Sequence, residues 1–197
     1  RYVVFPHFKE GRDRALEVLS LIPVEKLLLL GRHIEGISAS VDAVYENYEK
    51  DIYEALEEFI EPLARYKILK LVFPDNSDYP KAIIKGFYKI CNQYAFEHVL
   101  VGNLKKVSVK SGDCYITLTE DDLKVVLEKS IKKNLIIGTD VGVISYNETP
   151  LKKFILNGIT TISTDFELMG KYAAQLIVNN EKKQVAIPFY ATIRPSI

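Results

Sequence analysis

The sequence has no excess of either charge: lysine plus arginine and aspartate plus glutamate each number 26. A balanced chain offers no electrostatic footprint for a phosphate backbone, so these 197 residues are not expected to be the part of a protein that grips nucleic acid. Cysteine is scarce, with only Cys91 and Cys114, which show neither CxxC spacing nor a neighbouring histidine cluster. Cys91 falls on the apolar face of an expected helix, which favours a buried free thiol over a metal ligand or a disulfide. Long apolar runs are missing too. The strongest, Leu27 to Leu30, is far too short to span a bilayer, so no membrane partner is expected. The chain has no start methionine and no signal peptide, and Arg1 runs straight into a strand pattern. That reads as a cut N-terminus, which weakens any argument about location from a missing signal.

Catalytic and cofactor signatures are absent as well. No GxGxxG follows a strand, and the nearest approach, Gly138 to Gly142, has the wrong spacing. There is no GxxxxGK[ST] loop and no GxSxG elbow, which removes the familiar nucleotide-binding and hydrolase readings. His7, His33 and His98 are scattered without metal-ligand spacing. Neither an enzyme, a cofactor nor a metal is expected.

What is present is a globular composition, 48% hydrophobic and 26% charged. Arg1 to Phe5 is β-branched and aromatic and ends at Pro6. Phe8 to Leu21 reads as a helix, Lys26 to Leu30 and Val41 to Tyr45 as strands. Glu49 to Leu63 is the cleanest helix, with Ile52, Leu56, Phe59, Ile60 and Leu63 in one stripe. Ile68 to Phe73 is a strand, residues 74–78 a loop, and Pro80 opens a helix that turns Ile83, Phe87, Ile90 and Tyr94 inward. Val99 to Leu104, Lys106 to Val109 and Cys114 to Leu118 look extended, and Thr119 caps a helix running to Lys132. Val141 to Ser145 reads as a strand, Thr149 to Leu156 as a short helix, Thr160 to Ser163 as a strand. Asp165 opens the last helix, and Val185 to Ile193 is extended. Strand and helix alternate almost throughout, which predicts parallel sheets covered by helices on both faces.

In such sheets ligands bind beyond the carboxyl ends of the strands. The candidate loops are Pro6-His7-Phe8, Glu46-Asn47-Tyr48, residues 74–79, Thr119-Glu120 and Tyr146-Asn147-Glu148. Asn147 can donate and accept together, as vicinal hydroxyls of a sugar require, and Glu46 and Glu120 can accept hydroxyl protons. Phe166 can offer a flat face to sugar C–H groups. The same residues suit a plainer role, with Asn147 and Glu120 capping helices and Phe166 filling a hinge.

The stretch Gly142-Val-Ile-Ser-Tyr-Asn-Glu-Thr-Pro-Leu-Lys152, followed by Gly158-Ile-Thr-Thr-Ile-Ser-Thr-Asp-Phe-Glu-Leu-Met-Gly170 and Ala173-Ala174, resembles the effector domains of Lac- and Gal-repressor-type regulators. Its wording is similar to a GntR-type subgroup, in which a winged-helix DNA-binding domain is fused to the same sugar-sensing module; regulators of fucose and arabinose use are among them. The resemblance implies a periplasmic-binding-protein-like α/β fold: two doubly wound parallel-sheet lobes joined by crossover strands, with a monosaccharide such as L-fucose in the cleft. The expected division is 1–74 with 163–180 as the N-terminal lobe and 75–162 with 181–197 as the C-terminal lobe. The first lobe would lack its opening strand–helix units, and the DNA-binding domain would lie outside the chain. Operator DNA, reached through that domain, and a second copy in a homodimer are the partners the resemblance implies.

Residue by residue, Asn147 matches an acidic or amide position that holds a sugar hydroxyl, and Phe166 an aromatic bordering the effector. Thr119 and Glu120 fall on an Asn-Asp pair at a helix start, and Glu46 on an acidic residue that is Asp in many members. Tyr79 to Phe87 resembles an R-x-x-G-[FW] segment whose arginine grips the effector. Ile83 stands at that arginine, with Lys81 as a substitute from the previous turn, lacking the bidentate fork. His7 joins these as a candidate on its strand-end loop. The competing assignment is a periplasmic sugar-binding protein serving a transporter, which shares fold and cleft.

Overall fold

The computed structural model describes residues 1–7, 12–34, 37, 41–75 and 77–197. Expectations that fall on Phe8 to Gly11, at the start of the first helix, and on Asn76, in the loop after Phe73, lie outside the described residues. In chain order the elements are β1 (Tyr2–Val4), α1 (Arg12–Ser20), β2 (Leu27–Gly31), β3 (Asp42–Tyr45), α2 (Tyr48–Glu57), α3 (Ile60–Leu63), β4 (Ile68–Val72), α4 (Ala82–Gln93), β5 (His98–Val101), β6 (Asp113–Thr117), α5 (Glu120–Lys132), β7 (Gly142–Tyr146), β8 (Thr160–Thr164), α6 (Phe166–Val178), β9 (Gln184–Ala186) and β10 (Phe189–Thr192).

The chain divides into two compact units, Arg1–Asn47 with Thr164–Pro188 and Tyr48–Ser163 with Phe189–Ile197. The expected boundaries at 74 and 180 therefore move. The segment after Asn47 belongs to the second unit because α2 packs on α4 and β10, and β4 pairs with β5 and β6. Residues 181–188 stay in the first unit because β9 pairs with β3, Val44 opposite Val185.

In the first unit the sheet order is β1-β2-β3-β9, and its pairings are parallel. Period-two alternation sends successive leucines of β2 to opposite faces. Leu27 and Leu29 pack with Leu19 and Ala43 on the α1 side, while Leu28 packs with Val44, Met169, Ala173 and Leu176 on the α6 side. In the second unit the order is β10-β8-β7-β6-β4-β5, with β8 to β5 parallel. Leu69, Leu71, Ile116 and Ile144 face α2 and α4, whose Ile52, Leu56, Ile83 and Phe87 are buried with them. Val72, Tyr115 and Val143 face the other way, onto Leu123 and Val126 of α5. Gly86 allows α4 to approach α2: a Cβ there would sit 2.2 Å from the Glu49 carbonyl oxygen.

Three local expectations fail for identifiable reasons. The single helix over 49–63 breaks at Glu58-Phe59 into α2 and α3. Pro62 lacks an N–H, and its ring collides with the carbonyl four residues back, so an unbroken helix cannot pass. Lys106 to Val109 forms no strand; a 3-10 turn covers Leu104–Lys106. Lys129 Nζ of α5 donates to the carbonyls of Leu104, Lys105 and Val107, and Lys133 Nζ to that of Val109, so α5 takes up the acceptors a ladder would use. Thr149 to Leu156 is a series of turns, with Lys152 N donating to Thr149 O and Phe154 N to Leu151 O. Its Leu151, Phe154 and Leu156 are exposed and only Ile155 packs against the core, so little apolar burial supports a helix there.

Candidate functional site

The carboxyl ends of β4, β6 and β7 point the same way because their pairings are parallel, and the loops beyond them gather most of the candidate residues. β7 ends at Tyr146, and Asn147 turns the chain with φ +60°. Left-handed backbone is costly for most side chains and least so for Asn and Asp. The Asn147 amide still donates to Ile162 O at 2.8 Å, so the residue leaves the sheet only with its side chain. Its Oδ1 is buried and has no hydrogen-bond partner. An orphaned buried acceptor costs about 1–3 kcal/mol, and such groups call for a functional reason. The Ser145 hydroxyl, on the same strand, is also buried and unpartnered.

Lys152 holds this turn. Its side chain is 1% exposed, and Nζ donates to the Tyr146 carbonyl at 2.9 Å and to the Asn147 carbonyl. The same nitrogen lies 2.8 Å from Glu120 Oε1, on an otherwise exposed carboxylate at the first turn of α5. Glu120 thus faces Lys152.

Thr119 is a helix cap. Its hydroxyl accepts from the Asp122 amide at 3.1 Å and donates to Asp122 Oδ2 at 2.6 Å. Tyr79 joins the group from the β4–α4 loop: its hydroxyl donates to Leu118 O at 2.8 Å. Its ring meets that of Tyr146 edge-on, 5.9 Å between centroids. Tyr79, Thr119, Glu120 and Asn147 are therefore brought together around the ends of β6 and β7. Glu148 turns away from them, accepting from Arg194 Nη1 at 2.8 Å and from Thr161 Oγ1. Burial pushes its carboxyl up, but the Arg194 and Thr161 bonds, with the nearby positive charge, outweigh this and hold it below the usual glutamate range.

Lys81 is exposed, next to the start of α4. Ile83, at the position where the resemblance places an arginine, is fully buried between α2 and the sheet. A guanidinium there would have to displace core side chains. The remaining candidates lie in the first unit. Glu46 is buried just beyond β3 and accepts from Thr164 Oγ1. Phe166, 47% exposed, begins α6 two residues after Thr164. His7, beyond β1, is exposed and stacks on Phe5 with 5.3 Å between centroids and 8° between planes. Arg32, beyond β2, donates through Nε to Pro6 O at 2.8 Å, pinning the loop that carries His7.

Sequence reasoning missed the roles of Lys152 and Arg194. Lys152 stands beside Lys153 in an apolar stretch and nothing local distinguishes them, yet Lys153 is exposed and Lys152 is not. Among the described residues no cluster of histidine, cysteine, aspartate or glutamate could hold a metal ion, and no helix is long and apolar enough to cross a membrane. Cys91 is a buried free thiol, as its helical position predicts, and burial raises its pKa to about 12.

No family model and no curated protein matches the chain. Solved structures do. A probable maltose operon transcriptional repressor from Staphylococcus aureus superposes with a TM-score of 0.76 at 16% identity, over 98% of this chain and 74% of that one. A sugar-binding transcriptional regulator of the LacI family from Escherichia coli, complexed with phosphate, gives 0.73 at 11% identity, over 99% and 76%. A dimeric Lac repressor with an 11-residue C-terminal deletion gives 0.73 at 15%, over 98% and 76%. The chain shares the α/β fold of these regulators, with its parallel sheets. At such identities the likeness is one of fold.

Proposed function

We propose that this chain is the effector-sensing module of a bacterial sugar-responsive transcription regulator. It binds a neutral monosaccharide, a pentose or deoxyhexose such as L-fucose, at the strand ends, without catalysis. The carrying observation is Asn147: a carboxamide whose Oδ1 is buried and unpartnered, on a left-handed turn at the end of β7. A sugar hydroxyl donating to that oxygen would satisfy it, and the Asn147 NH2 group can donate to the neighbouring hydroxyl. The fold supports the reading, since the superposed proteins include a sugar-binding transcriptional regulator.

In this reading Tyr79 and Glu120 line the same strand ends in the second unit, while Glu46, Phe166 and His7 serve the first. The operator is contacted by a segment outside these residues, since the chain itself is neutral, and the resemblance of Gly142 to Lys152 to a GntR-type subgroup favours a winged helix there. The regulator acts as a cytoplasmic symmetric dimer, matching two half-sites. A sugar shifts DNA affinity only as far as its own affinity differs between the two states of the module.

The test is thermal unfolding against L-fucose, L-arabinose, D-ribose, D-xylose and D-galactose. A sugar present at a hundred times its Kd stabilises the folded chain by about 2.7 kcal/mol. A clear rise in Tm with one or two of these sugars is expected; a Tm unmoved by all of them counts against the proposal.

A further inference from the structure

We propose that Lys152 is a positioning residue for the effector: it acts through Asn147, fixing the turn that presents the Asn147 carboxamide and linking that turn to α5 through Glu120. The inference deepens the sugar-sensing reading and rests on it for the affinity arm of its test.

The argument begins with the cost of the arrangement. A fully buried ammonium gives up its hydration, and an unbranched methionine would fill much of the same volume without that penalty. Lys152 is 1% exposed, and the acceptors around Nζ serve the turn. Two are the consecutive carbonyls of Tyr146 and Asn147, and the third is Glu120 Oε1 at 2.8 Å. Consecutive carbonyls converge on one cation only when the backbone between them departs from strand geometry, and here Asn147 has φ +60°. The lysine therefore holds the conformation that strand pairing alone would oppose. The same turn buries Asn147 Oδ1 without a protein partner. Lys152 thus spends its donors on the backbone and on Glu120, leaving the amide side chain for a ligand.

The link to Glu120 gives the turn a second consequence. Glu120 opens α5, whose cap, Thr119, follows directly on Leu118, the residue that accepts from Tyr79. A ligand that moves Asn147 displaces the Lys152 ammonium and with it the carboxylate at the start of α5. A chain of paired side chains with discrete arrangements is one physical route by which coupling travels.

The experiment is a double-mutant cycle of Lys152→Met with Asn147→Ala in the full chain, read two ways. The first readout needs no ligand: the side-chain 15N–1H2 resonances of Asn147. In the wild type they should show the order of the surrounding backbone, and in Lys152→Met they should become mobile on the ns timescale. Unchanged order in a folded Lys152→Met chain overturns the inference, whatever the sugar results are. The second readout is Kd for the sugar giving the largest Tm rise. Lys152→Met should weaken binding about tenfold, and in the Asn147→Ala background it should add no more than about twofold, because the effect runs through the residue already removed. Additive losses in the two variants overturn it. Should the methionine variant not fold, Lys152→Gln, which retains a donor for one carbonyl, takes its place in the same cycle. A wild-type chain that binds no sugar defeats the functional reading, while the amide order still decides whether Lys152 fixes the turn.

Discussion

Arg194 Nη1 lies 2.8 Å from Glu148 Oε2 and 2.7 Å from the Ile159 carbonyl, so one guanidinium near the C-terminus clamps the start of the β7–β8 connection to its end. The clamp sits beside Asn147, and it titrates. Because the Glu148 carboxyl is held below its ordinary value of 4.5, its contribution to stability is complete above that pH. It is lost as pH falls through the depressed value, where protonation removes the charge that Arg194 faces. Substituting Arg194→Gln should lower stability by about 1–2 kcal/mol near pH 7. It should also shrink the loss on acidification below pH 4.5, where the wild type sheds the same contribution. Urea unfolding at pH 7 and at several steps below pH 5 checks both parts.

A more deeply buried pair joins strands of the same sheet. Lys70 Nζ on β4 lies 2.7 Å from Asp113 Oδ2 on β6, and the Tyr115 hydroxyl donates to the same oxygen at 2.9 Å. Burial, and then this bond to a carboxylate, push the Tyr115 phenol well above its usual range. Removing one partner strands the other charge, so Asp113→Ala should cost about 3–5 kcal/mol. The double variant Lys70→Met with Asp113→Leu should recover much of that loss. Denaturation midpoints of the three chains measure it; equal losses in the single and double variants would contradict the assignment.

Ile83 tests what replaces the missing arginine. It is fully buried against Phe87 and the sheet, so Ile83→Ala should cost about 2–4 kcal/mol. Ile83→Arg should destabilise the chain further and gain no sugar affinity, because the side chain points into the core. A stable arginine variant with tighter sugar binding would show that α4 can rotate this position outward.

Asn147 separates geometry from recognition. Asn147→Gly keeps the left-handed turn without strain, since glycine adopts positive φ readily, so stability should hold within about 1 kcal/mol of the wild type. Sugar binding should nevertheless fall by about 1–3 kcal/mol, as in Asn147→Ala, because both lack the carboxamide. Parallel melting curves and titrations of the two variants distinguish a residue kept for its backbone from one kept for its side chain.

Periodicity made the layers of the fold legible. The unbroken apolar run from Leu27 reads as a buried strand and the stripe of Ile52 and Leu56 as one helix face, and Leu27, Leu28, Leu29, Ile52 and Leu56 are all buried. Elements fixed by distant side chains were not legible. Lys129 and Lys133, a helix away, decide that Lys106 to Val109 cannot pair as a strand, and no local pattern records that. The site divides in the same way. Asn147, Glu120, Thr119 and Tyr79 could be named from strand-end position and resemblance, and the fold brings them together. Thr119 proves to spend its hydroxyl as a cap. Lys152 escaped because its value lies in burial, which the sequence of two adjacent lysines does not show.

The central claim, that this module senses a monosaccharide through Asn147, is tested most directly by isothermal titration of the chain with L-fucose and the other sugars of the panel, beside Asn147→Ala. The account predicts one saturable site for at least one sugar, weakened about five- to a hundredfold in the alanine variant, the equivalent of about 1–3 kcal/mol. No binding heat with any sugar, or equal affinity in the two chains, would contradict it.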